Sequence, residues 1–157
     1  MRSVSQAVET PEQMRALGQR LAGLLRAGDL VVLTGELGAG KTTLVQGIGA
    51  GLGVRAPVVS PTFVIARVHR DGRLPLVHVD AYRLSSVAEV DDLDLDADLD
   101  SAVTVVEWGE GLAERLSADR LEVRIERPAG EGDVEGDERR HVSVSGVGPR
   151  WAGVELD

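Results

Sequence analysis

Between Gly35 and Thr43 the chain reads GELGAGKTT, small residues closed by an ammonium and two hydroxyls. The spacing Gly35-x-x-x-x-Gly40-Lys41-Thr42 is that of a phosphate-binding P-loop. Glycines at 35, 38 and 40 permit backbone turns closed to residues with a Cβ, so N–H groups can point inward at phosphate oxygens. A helix starting near Lys41 adds its unpaired N–H groups and the positive end of its dipole. Lys41 can reach the β- and γ-phosphates of a nucleotide, and Thr42 can offer its hydroxyl to Mg2+. Lys41 is also the one lysine of the chain; every other basic residue is Arg. A compact, rotatable ammonium therefore stands where phosphate is expected.

Magnesium on a nucleotide needs a second protein anchor, commonly a carboxylate at the end of a buried strand. Asp80 follows the apolar run LPLVHV and Glu107 follows AVTVV, so both qualify, and spacing does not choose between them. The turn SPTF, Ser60 to Phe63, is either a rigid loop or a switch whose hydroxyls sense the γ-phosphate. A guanine-reading Asn/Thr-Lys-x-Asp signature cannot exist beside a single lysine, so ATP is favoured over GTP.

Other chemistries fail on residue type. Asp92, Asp94 and Asp96 have the first spacings of a calcium loop, but Ala97 stands where Gly is needed and Val103 where a bidentate Glu is needed. The run from Asp91 to Asp100 is better read as a solvated helix and loop. His69, His78 and His141 lack metal-type spacing, and His78, on a strand, is expected to pack or to support a neighbouring ligand. The absence of cysteine removes disulfides, thiol catalysis and zinc thiolates. A net charge of −9 argues against wide, independent binding to nucleic acid. The N-terminal stretch has no signal-peptide core, and no run approaches the roughly 18 apolar residues of a membrane span. A cytoplasmic protein without membrane contact is the expectation.

The elements that must hold these groups are legible in outline. Thr10 to Ala27 reads as a helix, with Thr10 as N-cap, Pro11 in the first turn, and Met14, Leu17 and Leu21 on one face. Leu30 to Leu33 is a buried strand, and Lys41 to Leu52 a helix ended by Gly53. Thr62–Val68 and Leu74–Val79 flank Asp71-Gly72 as a hairpin, and Ala102–Val106 is another buried strand. A short helix follows in GEGLAERL, then an alternating strand over Arg120–Arg127. Residues 128–138 are acidic and Gly-rich, expected as a loop; HVSVSG returns as an edge strand, and 147–157 is expected to be a loose tail. The sum is one α/β domain over residues 1–157: P-loop NTPase-like, with a mostly parallel central sheet and flanking helices.

Four blocks in order, GELGAGKTT, SPTF, HVDAYRL (His78 to Leu84) and EWGE (Glu107 to Glu110), resemble the TsaE family. These are the small bacterial ATPases of tRNA threonylcarbamoyladenosine biosynthesis, and the likeness runs from about Thr10 to Arg127. The resemblance implies a protein that binds ATP and Mg2+ and hydrolyses ATP slowly. It also implies partnership with TsaB and TsaD, the latter transferring the threonylcarbamoyl group while the ATPase resets the complex between turnovers. By the same resemblance Gly38, Ala39, Gly40, Lys41, Thr42 and Thr43 bind ATP, and Thr42 and Glu107 anchor Mg2+. Asp80, with Tyr82 and Arg83, resembles a switch that orients water, and Thr62 the γ-phosphate sensor. Trp108 either packs beside the site or faces a partner. Thr10 resembles a contact near the adenine, and Arg140 one flanking the base. Two other readings stay open: a small-molecule kinase on the same P-loop, and a non-hydrolysing ATP-binding assembly factor.

Overall fold

A computed structural model describes residues 2–35, 40–54, 66–69, 72–80, 101–107, 119–126, 140–152 and 154. In chain order the elements are β1 (Arg2–Val8), α1 (Pro11–Ala22), β2 (Leu30–Gly35), α2 (Lys41–Leu52), β3 (Ala66–His69), β4 (Leu76–Asp80), β5 (Val103–Glu107), β6 (Arg120–Glu126), β7 (Arg140–Val147) and a 3₁₀ turn, Pro149–Trp151. The seven strands form one sheet in the order β1-β7-β6-β2-β5-β4-β3. Its centre, β6-β2-β5-β4, is parallel, while β3 pairs antiparallel with β4, and β7 with both β6 and β1. The expected parallel sheet is thus the central half of a mixed one. Its middle strands β2 and β5 are buried along nearly their whole length, as all-apolar runs of β-branched residues and Leu require.

Two expectations about the outer strands are corrected. HVSVSG is not an edge strand, because β1 covers its free side from Val4↔Val144 to Val8↔Arg140. Strand β1 itself was not expected; its burial alternates, with Val4, Gln6 and Val8 turned inward and Ser5 and Ala7 exposed, but its residue types do not. The tail after Val147 is not loose as far as it is described. Trp151 is buried and packs so closely on Gly146 that a Cβ there would lie 2.6 Å from the Trp151 Cβ. Arg150 clamps Asp29 through two 3.0 Å hydrogen bonds and donates a third, at 2.8 Å, to the Leu24 carbonyl.

Helix α1 starts as read and stops earlier. Thr10 Oγ1 accepts from Gln13 N, and Gln13 Oε1 accepts from Glu9 N, a variant of the capping box. The helix ends at Ala22 rather than Ala27, with Gly23 as its C-cap and the Leu24 and Leu25 N–H groups closing onto the Leu21 and Ala22 carbonyls; the Arg73 guanidinium also donates to Ala22 O at 2.7 Å, and Arg150 to Leu24 O. Helices α1 and α2 touch almost backbone to backbone. A Cβ on Gly18 would sit 2.7 Å from Ile48 N, and one on Gly47 2.8 Å from Arg15 Cα. This approach fixes the start of α2, and with it Lys41, against the apolar core of Leu17, Leu21, Leu44 and Ile48.

Candidate functional site

The register brings the candidate residues to one edge. Gly35 ends β2 beside Ile125 of β6, and Glu107 ends β5 opposite both Leu33 and Asp80. On the antiparallel side β7 begins at Arg140, which pairs with Val8 at the end of β1, and Thr10 follows two residues later. Gly35, Asp80, Glu107, Arg140 and Thr10 therefore all lie at the carboxyl edge of the parallel strands. Open α/β sheets bind ligands at that edge, where connections leave in opposite directions.

Within the edge, the P-loop ends have the geometry their composition demands. Gly40 has φ +107°, a conformation that strains any residue with a Cβ, and its added Cβ would meet Met14 Cε at 3.2 Å. Gly40 N-caps α2 and, lacking a side chain, makes no capping hydrogen bond there. The first turn also carries no acidic residue, so its N–H groups and dipole favour an anion from outside the helix. Lys41 is 6% exposed, and its Nζ donates to the Gly35 carbonyl at 2.6 Å. A buried ammonium costs several kcal/mol unless charge or dipoles compensate it, about what a bound anion would offset. Thr42 and Thr43 follow on the first turn, both half-buried.

Glu107 is held by an imidazole. It is 4% exposed, and its Oε2 lies 2.6 Å from Nε2 of the fully buried His78. His78 stands two residues before Asp80, on the same face of β4, and opposite Val105 in register, so the ring reaches diagonally to the end of β5. His78 Nδ1 is buried with no partner. A bare lone pair is tolerated there better than an orphan N–H, which assigns the proton to Nε2 and makes the imidazole the donor. The expected role of His78, packing or support, is the one the contact describes; the sequence signal was the i, i+2 pairing with Asp80.

Thr10 caps α1 with its hydroxyl, which accounts for its type without a nucleotide. Arg140 is half-buried at the start of β7. Gly38, Ala39, Thr62, Tyr82, Arg83 and Trp108 lie outside the described residues, as do the acidic run at 91–100, the expected helix in GEGLAERL and the acidic loop 128–138. Sequence reasoning missed the Gly35 carbonyl and Met14 as props of Lys41 and Gly40. A hollow of about 260 Å³ opens on the face of the sheet away from Glu107, lined by Thr34, Glu122, Arg124 and Ser143 among others. Neither Lys41 nor Glu107 lines it.

Among the described residues no group of three His, Cys, Asp or Glu side chains gathers to cage a metal. Mg2+ suits such a site, since it takes one or two protein oxygens and completes its shell with phosphate and water. The buried Glu107 carboxylate, with one oxygen engaged by His78, and the Thr42 hydroxyl beside Lys41 fit that division.

Comparison with known proteins places the chain. Residues 8–137 match the family described as "Threonylcarbamoyl adenosine biosynthesis protein TsaE". The chain is 63% identical over 147 residues to the tRNA threonylcarbamoyladenosine biosynthesis protein TsaE of Streptomyces coelicolor, covering 91% of this chain and 97% of that one. It is 37% identical to the protein of the same description from Bacillus subtilis, over 96% and 90% of the two chains. A crystal structure of B. subtilis YdiB superposes with a TM-score of 0.76 at 32% identity, covering 96% of this chain and 90% of that one.

Proposed function

The chain belongs to the TsaE family, and from that premise we propose that it binds ATP with Mg2+ at the carboxyl edge of its sheet and hydrolyses it slowly in support of tRNA threonylcarbamoyladenosine formation. The observation that carries this reading is the common edge shared by Gly35, Glu107 and Asp80, with Lys41 buried and its Nζ donating to the Gly35 carbonyl. In this reading Lys41 neutralises the β- and γ-phosphates while the α2 first turn cradles them through N–H groups. Thr42 and Glu107 hold Mg2+, which when bound neutralises phosphate charge and polarises the terminal phosphoryl group. Asp80 orients the attacking water, Thr62 senses the γ-phosphate, and Thr10 and Arg140 flank the base.

The nucleotide cycle acts as a timer. The protein joins TsaB and TsaD, and hydrolysis resets that complex between transfers performed by TsaD. A cytoplasmic location goes with this role; among the described residues no helix is long and apolar enough to cross a membrane. Calorimetric titration with ATP tests the reading at its root. Lys41→Ala is expected to weaken binding by about 100-fold or more, about 2.7 kcal/mol. Unchanged affinity would sink the assignment.

A further inference from the structure

The pair His78–Glu107 asks for an explanation that stability does not supply. His78 is fully buried, and among the described residues its Nδ1 finds no partner while its Nε2 lies 2.6 Å from Glu107 Oε2. Buried polar pairs of this kind contribute little net stability, and apolar side chains of the same volume often serve as well. Its neighbours along β4 on both faces, Leu76, Val77 and Val79, are apolar and buried. Yet at this one position β4 carries an imidazole with half its hydrogen-bonding capacity unmet, aimed at the carboxylate that ends β5.

The geometry points to His78 as the positioning residue of Glu107. This inference rests on the reading of Glu107 as a magnesium anchor and adds how the anchor is aimed. A glutamate at a strand end has three side-chain torsions, and fixing them on binding costs rotamer freedom. His78 removes that cost in advance. By donating Nε2–H to Oε2 it selects one rotamer, occupies one carboxylate oxygen, and leaves Oε1 as the oxygen available to a ligand at the edge. The ring is in turn fixed by burial in the sheet and by register, since Arg67↔His78↔Val105 runs across three strands. Carboxylates that ligate metals are commonly held from behind by such donors, and loss of the donor typically costs about 10–100-fold in metal affinity. His78 does not touch nucleotide or metal in this account; it acts through Glu107.

The test separates aiming from folding and from the parent reading. Affinity for a fluorescent ATP analogue is measured with Mg2+ and with EDTA, and Mn2+ binding in the presence of ADP by electron paramagnetic resonance. Two variants are compared: His78→Leu, which cannot donate, and His78→Gln, whose amide can reach the position of Nε2. The expected result for His78→Leu is a loss of about tenfold or more in Mn2+ affinity, with EDTA-state nucleotide affinity within about twofold of the unaltered protein. His78→Gln is expected to recover most of that loss. Unaltered Mn2+ affinity in His78→Leu would overturn the inference, as would an equal loss of nucleotide affinity with and without metal, which would mark a merely structural role. If the unaltered protein binds nucleotide with no metal dependence, the parent reading of Glu107 falls as well, a different result from failure of His78 alone. A second measurement needs no variant at position 78: long-range ¹H–¹⁵N correlation on the free protein is expected to show the Nε2–H tautomer, with the Nε2 signal displaced by Glu107→Gln. An Nδ1–H tautomer, or a signal indifferent to Glu107→Gln, would overturn the inference.

Discussion

Arg150→Ala is expected to destabilise the fold strongly while leaving the nucleotide edge untouched. Arg150 donates to both Asp29 oxygens at 3.0 Å and to Leu24 O at 2.8 Å, and its guanidinium stacks 4.2 Å from the Trp151 ring centre. The variant leaves Asp29, 6% exposed, with the Arg26 N–H as its remaining donor. Breaking a buried pair by removing one partner costs about 3–5 kcal/mol. The Arg150 side chain is 18% exposed, so water can partly replace it and the lower end, about 3 kcal/mol, applies. With a urea slope of about 1–3 kcal/mol per M for a domain of this size, the unfolding midpoint falls by about 1–3 M. The pair sits where β2 begins and β7 ends, the edge opposite Gly35 and Glu107, so ATP affinity below the transition should not move. A double-mutant cycle with Asp29→Ala isolates the pair; a coupling of about 2 kcal/mol is expected, and one under about 0.5 kcal/mol would refute the account of how the C-terminal segment is held.

Gly47→Ala should cost about 1–3 kcal/mol and lower nucleotide affinity together, because its Cβ would press on the Arg15 backbone and shift the helix that starts at Lys41; stability measured by urea titration alongside ATP binding checks both. Thr10→Ala should cost about 1 kcal/mol through loss of the α1 cap. If Thr10 contacts the adenine side as proposed, ATP affinity falls further than Thr10→Ser allows, read by calorimetry on the two variants. Glu107→Gln should raise the Mg2+ concentration needed for half-maximal phosphate release by about tenfold, with ATP affinity in EDTA nearly unchanged; an unchanged Mg2+ dependence would transfer the metal role to Asp80.

What could be read from residues alone divides along local and non-local lines. The Thr10 cap, β2, α2 and β5 were legible because each is specified by neighbours in sequence: a capping residue, a flanking glycine, a run of Val and Leu. The contacts at and just past the end of α1 were not, since they depend on Arg73 and Arg150 arriving from elsewhere in the chain. The same holds for the tail, where Trp151 is buried only because Gly146 of the neighbouring strand leaves room. Strand β1 alternates in burial but not in residue type, since Gln6 points the half-buried way and Ala7 the exposed way, so little announces it. At the site, residue types named the candidates, and register supplied what spacing could not. Asp80 and Glu107 are direct neighbours across β4 and β5, and His78 engages Glu107.

The most direct test of the functional claim is phosphate release from Mg·ATP, measured with and without the TsaB and TsaD proteins of the same organism. The account predicts a slow basal rate that depends on Lys41 and rises strongly when the partners are added. A negligible rate under both conditions, or a phosphorylated acceptor in place of free phosphate, would contradict it.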